Sequence, residues 1–167
     1  GKGVSRPLGE VLEDIRQALD GGVKEIVLSG VHLGSWGKDL GGKLHLADLI
    51  ESVLRETDVP RLRLSSLEPW DLGETFFGLW EDDRMCPHLH LPLQSGSAAI
   101  LKRMARKTTP EKYMRIVEDA RTVVPDMAIT TDMIVGFQGE TDELFDESMR
   151  FVRAVNFAGG HIFPFSP

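Results

Sequence analysis

The stretch Thr130-Thr131-Asp132-Met133-Ile134-Val135-Gly136-Phe137-Gln138-Gly139-Glu140-Thr141 constrains this chain more than any other. It reads as a buried strand running into a glycine-bracketed turn and a helix start. A second junction of the same kind, His90-Leu91-Pro92-Leu93-Gln94-Ser95-Gly96-Ser97, lies upstream. Pro92 places a strand end there, because proline gives no N–H to a central ladder. Strand-to-helix turns are where α/β sheets hold ligands: strand ends converge on helix N-termini with unpaired N–H groups.

The rest of the chain alternates in the same way. Leu8, Val11, Leu12, Ile15 and Leu19 predict a helix behind Pro7, stopped by Gly21-Gly22. Residues 25–29 read as a strand, 30–42 as a glycine-rich loop, and Leu46, Leu49, Ile50, Val53 and Leu54 as a helical stripe. Strands follow at 61–66 and 88–93, separated by a weaker helix over 72–80. A short helix over 98–104 and a longer one from Pro110 precede the strand over 128–135. A helix burying Phe145, Met149 and Val152, and a strand over 160–165, close the chain. Such alternation predicts parallel strands joined by right-handed crossovers. A helix opening the series implies a preceding strand, so the chain is expected to be a fragment, one domain over residues 1–167 and truncated at both ends.

Composition sets limits. A chain of 167 residues, 41% hydrophobic, supports one well-buried core. The net charge of −7 argues against a chain that wraps nucleic acid by itself, since that binding rests on phosphate neutralisation. No apolar run approaches the roughly 20 residues that span a bilayer. The single cysteine, Cys86, excludes an internal disulfide and any cysteine-only metal site. A cytoplasmic protein with no membrane partner is expected.

Polar residues at the predicted strand ends are the candidate site. Gly30 and His32 follow the first strand, but their spacing is not the dinucleotide fingerprint. Ser66 and Glu68 stand near the end of the second, where a carboxylate can accept from ribose hydroxyls or an ammonium group. Gln94 is presented at the mouth of the third, and Asp132, Ile134, Val135 and Gly136 end the fourth. The spacing of Lys102, Arg103, Arg106 and Lys107 stacks 102 on 106 and 103 on 107 if all are helical, an anion-site pattern in an acidic chain. Cys86, His88 and His90 alternate, which on a strand points all three to one face with metal-ligand spacing. Pro87 disturbs that strand, and no companion ligand cluster is evident.

Together the two strand-end motifs resemble the radical S-adenosylmethionine methylthiotransferases, the MiaB-like RNA-modifying enzymes. The family's Asp-x-Ile-Val-Gly-Phe-Pro-Gly-Glu-Thr is present with Gln138 in place of proline, and His90 to Ser97 is unaltered. Ser-Ser-x-Glu-Pro at 65–69 and Gly-Val-His-Leu-Gly-Ser at 30–35 are most similar to the branch that acts on threonylcarbamoyladenosine in tRNA. The resemblance implies a partial (β/α)6 barrel of radical SAM type, lacking its first strand and cluster loop. It implies S-adenosylmethionine as cofactor, with adenine against Ile134, Val135 and Gly136. Gly30 and His32 fall at the family's amino-group turn, and Arg106 is assigned to the cofactor carboxylate or an RNA phosphate. In that family a Cys-x-x-x-Cys-x-x-Cys loop holds a [4Fe–4S] cluster, a second cluster supplies sulfur, and a 5′-deoxyadenosyl radical removes hydrogen from adenosine. Those cysteines are absent here, so the fragment is expected to hold part of the cofactor pocket, no cluster and no activity alone.

Two other classes compete. A metal-dependent barrel hydrolase would use Cys86, His88 and His90; a non-catalytic α/β interaction module would bind neither cofactor nor metal. If a first strand is missing, Ile26, Val27 and Leu28 form an exposed edge, expected either to self-associate by pairing with a neighbouring molecule or to lie open beside a gap one strand wide.

Overall fold

A computed structural model describes residues 3–42, 44–73 and 75–166. The chain forms two compact units, Gly1–Pro87 and His88–Pro167.

In the first unit, α1 (Leu8–Asp20) buries Leu12 and Ile15. It leads to β1 (Ile26–Leu28), α2 (Leu46–Glu56) and β2 (Leu62–Leu64). β1 and β2 pair in parallel, Leu28 opposite Leu64. Met85 adds a parallel bridge to Leu62 on the other side of β2. α2 buries Leu46, Leu49, Ile50 and Val53, the predicted stripe, and the Asp48 carboxylate accepts the His45 N–H at 2.6 Å at its start. Among the described residues β1 has one strand partner, and Val27 is half exposed.

The expected helix over 72–80 is instead two 3₁₀ turns, Pro69–Asp71 and Phe76–Glu81. Phe76, Phe77 and Trp80 are all buried and meet as rings 5.8–6.4 Å apart, so apolar residues crowd more than one face and the tighter turn wins.

In the second unit, β3 (His88–His90), α3 (Ala98–Arg103), α4 (Pro110–Val123), β4 (Ala128–Val135), α5 (Asp142–Val155) and β5 (Gly159–Pro164) follow in order. Their sheet runs β3-β4-β5, all parallel. Thr109 and Thr141 cap α4 and α5 by accepting the N–H groups of Lys112 and Leu144. Left-handed Asn156 ends α5. β4 buries Ile129, Thr131 and Met133, while Ala128, Thr130, Asp132 and Ile134 on the alternate face stay half-buried.

The predicted inward face of α5 needs correction, because Phe145 is exposed. Ser148 and Val155 are buried instead. Gly96 explains the rotation: a Cβ there would sit 2.6 Å from the Ser148 carbonyl oxygen, so α5 approaches that turn on its Ser148 side. The Ser148 hydroxyl accepts the Gly96 N–H at 2.7 Å.

Before β1, Glu25 takes Arg63 at 2.6 Å and Arg61 at 2.9 Å. The two guanidiniums, Arg63 foremost, hold the Glu25 carboxyl down to about 2, from an ordinary value of 4.5. A depressed folded-state value contributes stability above the unfolded carboxyl's range, and that contribution fades as pH falls toward 2. Glu25→Gln is therefore expected to lower the unfolding temperature at pH 7 and to flatten its fall between pH 5 and pH 2, about those limits on the linkage argument. Thermal melts across that range check this; an equally steep acid slope in the variant would show the contact to be immaterial.

Candidate functional site

The predicted residues fall into two groups, one in each unit. In the first, Gly30 and Ser66 are exposed and each lies two residues beyond the end of its parallel strand. His32 Nε2 meets Asp71 Oδ2 at 2.7 Å, and Lys38 Nζ lies 3.6 Å from the other Asp71 oxygen. Asp71 is nearly buried, with 6% of its side chain exposed. A Cβ on Gly34 would lie 2.4 Å from that carboxylate, so only glycine lets the loop fold over it. Sequence reasoning missed Asp71, whose role appears once the loop is closed. Glu68 is half-buried and its carbonyl accepts the Asp71 N–H at 2.9 Å, starting the 3₁₀ turn.

In the second unit, the strand-end residues are tied by backbone. Gln94 donates its N–H to the Asp132 carbonyl at 2.8 Å, and its own carbonyl accepts from Ile134 at 2.8 Å. Gln94 sits at φ 73°, a left-handed conformation uncommon outside glycine. Val135 is half-buried. Gly136 follows at φ 74° with open space where a Cβ would stand, and its N–H reaches Glu140 Oε2 at 2.6 Å.

The four-cation stack does not form. α3 ends at Arg103, and Ala105 turns left-handed at φ 54°. Arg106 therefore leaves the helix and donates from Nη2 to the Pro92 carbonyl at 2.9 Å, while Arg103 donates to the Gly139 carbonyl.

The proposed metal face also separates. Burial pushes the Cys86 thiol up, and its sulfur faces Glu25 at 3.7 Å, while His88 and His90 both bond Thr130 Oγ1 at 3.0 and 2.9 Å. No group of three or more such ligands among the described residues is arranged to hold a metal ion.

The half-open face of β3-β4-β5 carries a continuous side-chain chain. His88 bonds Thr130, Thr130 bonds His90 Nδ1, His90 Nε2 meets Asp132 Oδ2 at 3.2 Å, and Asp132 Oδ1 meets His161 Nδ1 at 3.2 Å. Sequence reasoning named His88, His90 and Asp132 and missed His161. The missing signal was register, which sets Asp132 directly opposite His161. In the first unit, a hollow of about 480 Å³ between α2 and the Phe76–Glu81 turn is lined by none of the predicted residues.

The family model of the radical SAM superfamily matches residues 1–152, and the chain belongs to that superfamily. Its α/β fold is that of radical SAM enzymes in part, parallel strands alternating with helices. Coproporphyrinogen III oxidase (HemN) from Escherichia coli, described as a radical SAM enzyme, superposes with a TM-score of 0.66 at 15% identity, over 99% of this chain and 39% of that one. The cobalamin-dependent S-adenosylmethionine radical enzyme OxsB superposes at 0.62 and 14% identity, over 87% and 22%. In sequence the chain is 43% identical over 98% of its length to the threonylcarbamoyladenosine tRNA methylthiotransferase MtaB of Thermotoga maritima. It is 41% identical over 99% to the tRNA-2-methylthio-N(6)-dimethylallyladenosine synthase of Caldicellulosiruptor saccharolyticus. The chain spans 37% and 36% of those relatives.

Gln94 generates a prediction. A non-glycine residue in a left-handed conformation costs about 1 kcal/mol. Gln94→Gly is expected to raise stability by about 0.5–1 kcal/mol, read as a higher denaturant midpoint. A lower midpoint would mean that the Gln94 side chain itself holds the strand end.

Proposed function

We propose that this chain is the radical SAM core of a tRNA methylthiotransferase, and that the whole protein methylthiolates a modified adenosine in tRNA in the cytoplasm. The observation that carries the reading is the open, left-handed strand end at Gly136 beside a half-buried polar sheet face, within a chain about 40% identical to enzymes bearing that name.

The backbone from Ile134 to Gly136 suits a flat adenine, since nothing within 4 Å fills the Cβ position of Gly136. Gln94, fixed to Asp132 and Ile134 by backbone, offers its amide beside that strand end. Asp132, on the polar face, is assigned to the same cofactor pocket. By the family resemblance, Gly30, His32, Ser66 and Glu68 are assigned to the cofactor's amine and ribose. Arg106 keeps one N–H on Pro92 and is assigned to an anionic group. When bound, S-adenosylmethionine supplies the radical chemistry.

A [4Fe–4S] cluster does not fit the residues present: the one cysteine is buried and faces a carboxylate. Cluster ligands belong to parts of the protein beyond these residues, and so does activity. No helix among the described residues is long and apolar enough to cross a membrane.

Two measurements test this. Anaerobic reconstitution of the 167-residue chain is expected to give no stable cluster chromophore, and its binding of S-adenosylmethionine to be weaker than micromolar, about −8 kcal/mol. The whole protein, reconstituted and reduced, is expected to cleave S-adenosylmethionine and to leave methylthio groups on tRNA adenosine. Stoichiometric iron and sulfide on this chain, or no methylthio nucleoside from the whole protein, would defeat the reading.

A further inference from the structure

Identity does not separate the two substrates named for the relatives, since 43% and 41% are too close to decide. The polar face of the second unit does carry a discriminating feature. Asp132 as a carboxylate only accepts hydrogen bonds, so both rings that meet it turn an N–H toward it. His161 thus spends its Nδ1–H on Asp132 and directs Nε2 away from the carboxylate. His90 spends Nε2–H on the same carboxylate, and its Nδ1 takes the Thr130 hydroxyl.

The inner groups are committed and half-buried, with 15% of the His90 side chain and 25% of the Asp132 side chain exposed. His161 has 73% of its side chain exposed and is the outward end of the chain. Phe163 lies beside it with ring centroids 6.2 Å apart and planes inclined by 35°, one ledge of aromatic surface next to one polar nitrogen.

We infer that His161, oriented by Asp132, is a specificity-determining residue that favours a base bearing a polar, hydrogen-bonding side chain of the threonylcarbamoyl kind over one bearing a hydrocarbon. The inference rests on the methylthiotransferase reading above. A hydroxyl, carbamoyl N–H or carboxylate satisfies the outward nitrogen. A hydrocarbon laid over it strips water from the nitrogen and returns no hydrogen bond, and sites built to bond a polar group reject analogues that lack it.

The test uses the full-length, cluster-loaded enzyme, offered tRNA with threonylcarbamoyladenosine and tRNA with dimethylallyladenosine in competition. Methylthiolated nucleosides are counted by mass spectrometry. The native enzyme is expected to favour the polar substrate, and His161→Leu to shift the product ratio toward the hydrocarbon about tenfold, the effect of one hydrogen bond. His161→Gln, which keeps hydrogen-bonding atoms at the end of the side chain, is expected to restore most of the preference. Long-range ¹H–¹⁵N spectra of the histidine rings give a readout apart from turnover: His161 protonated on Nδ1, with Nε2 shifted by the threonylcarbamoyl nucleoside and not by the dimethylallyl one. An unchanged ratio in His161→Leu, an equal loss on both substrates, or a native preference for the hydrocarbon would overturn the inference and leave the methylthiotransferase reading standing. Absence of methylthio product from either tRNA would remove that reading and the inference with it.

Discussion

Pro92 has no N–H to give to the ladder between β3 and β4, and the strand end depends on how the gap is closed. Leu91 donates to the Thr130 carbonyl and Gln94 to the Asp132 carbonyl, so three steps on one strand face two on the other. The extra residue would leave backbone groups unpaired in a buried place. Thr131, 2% exposed, resolves most of this with one hydroxyl: it donates to the Leu91 carbonyl and accepts the Leu93 N–H, at 2.8 and 2.9 Å. Tyr113, fully buried, donates to the same Leu91 carbonyl at 2.8 Å, and Arg106 serves Pro92. With those groups satisfied, the chain re-enters the ladder at Gln94, which is half-buried.

Having one face covered makes the sheet usable. Leu89, Leu91, Ile129 and Thr131 are sealed, and Tyr113 packs edge-on against Phe151 and Phe157. The alternate face keeps His88, His90, Thr130, Asp132 and Ile134 half-buried, where polar groups stay hydrogen-bonded without full desolvation. Period-two alternation ties the two faces together, so a one-residue slip would carry Asp132 into the core and Thr131 out of it.

Much of this was legible in the residues. The bounds of β4 and α1 follow from an apolar run ending in glycine and from a stripe between Pro7 and Gly21. What failed to show depends on contacts distant in sequence. Phe145 fits a helical stripe with Met149 and Val152, which are half-buried, yet it is exposed, because close approach at Gly96 turned the helix toward Ser148. Lys102 to Lys107 had helical spacing, yet Ala105 broke the helix. Cys86, His88 and His90 had strand spacing, yet their polar partners are Glu25 for the first and Thr130 for the others. His161 gave no local signal, because its meaning comes from register with Asp132 across β4 and β5.

Each unit has its own kind of polar contact. In the first unit, Glu25 ahead of β1, Arg61 ahead of β2 and Arg63 within β2 close an ion network in which opposite charges meet at 2.6–2.9 Å. That arrangement fixes strand starts and leaves no unpaired charge among those three. In the second unit, Gln94 and Gly136, past the ends of β3 and β4, adopt left-handed backbones, and His90 and Asp132 stay half-buried. Gln94 is held where glycine would be more comfortable by its two backbone hydrogen bonds to Asp132 and Ile134, so the ladder of β3 and β4 outweighs the local preference.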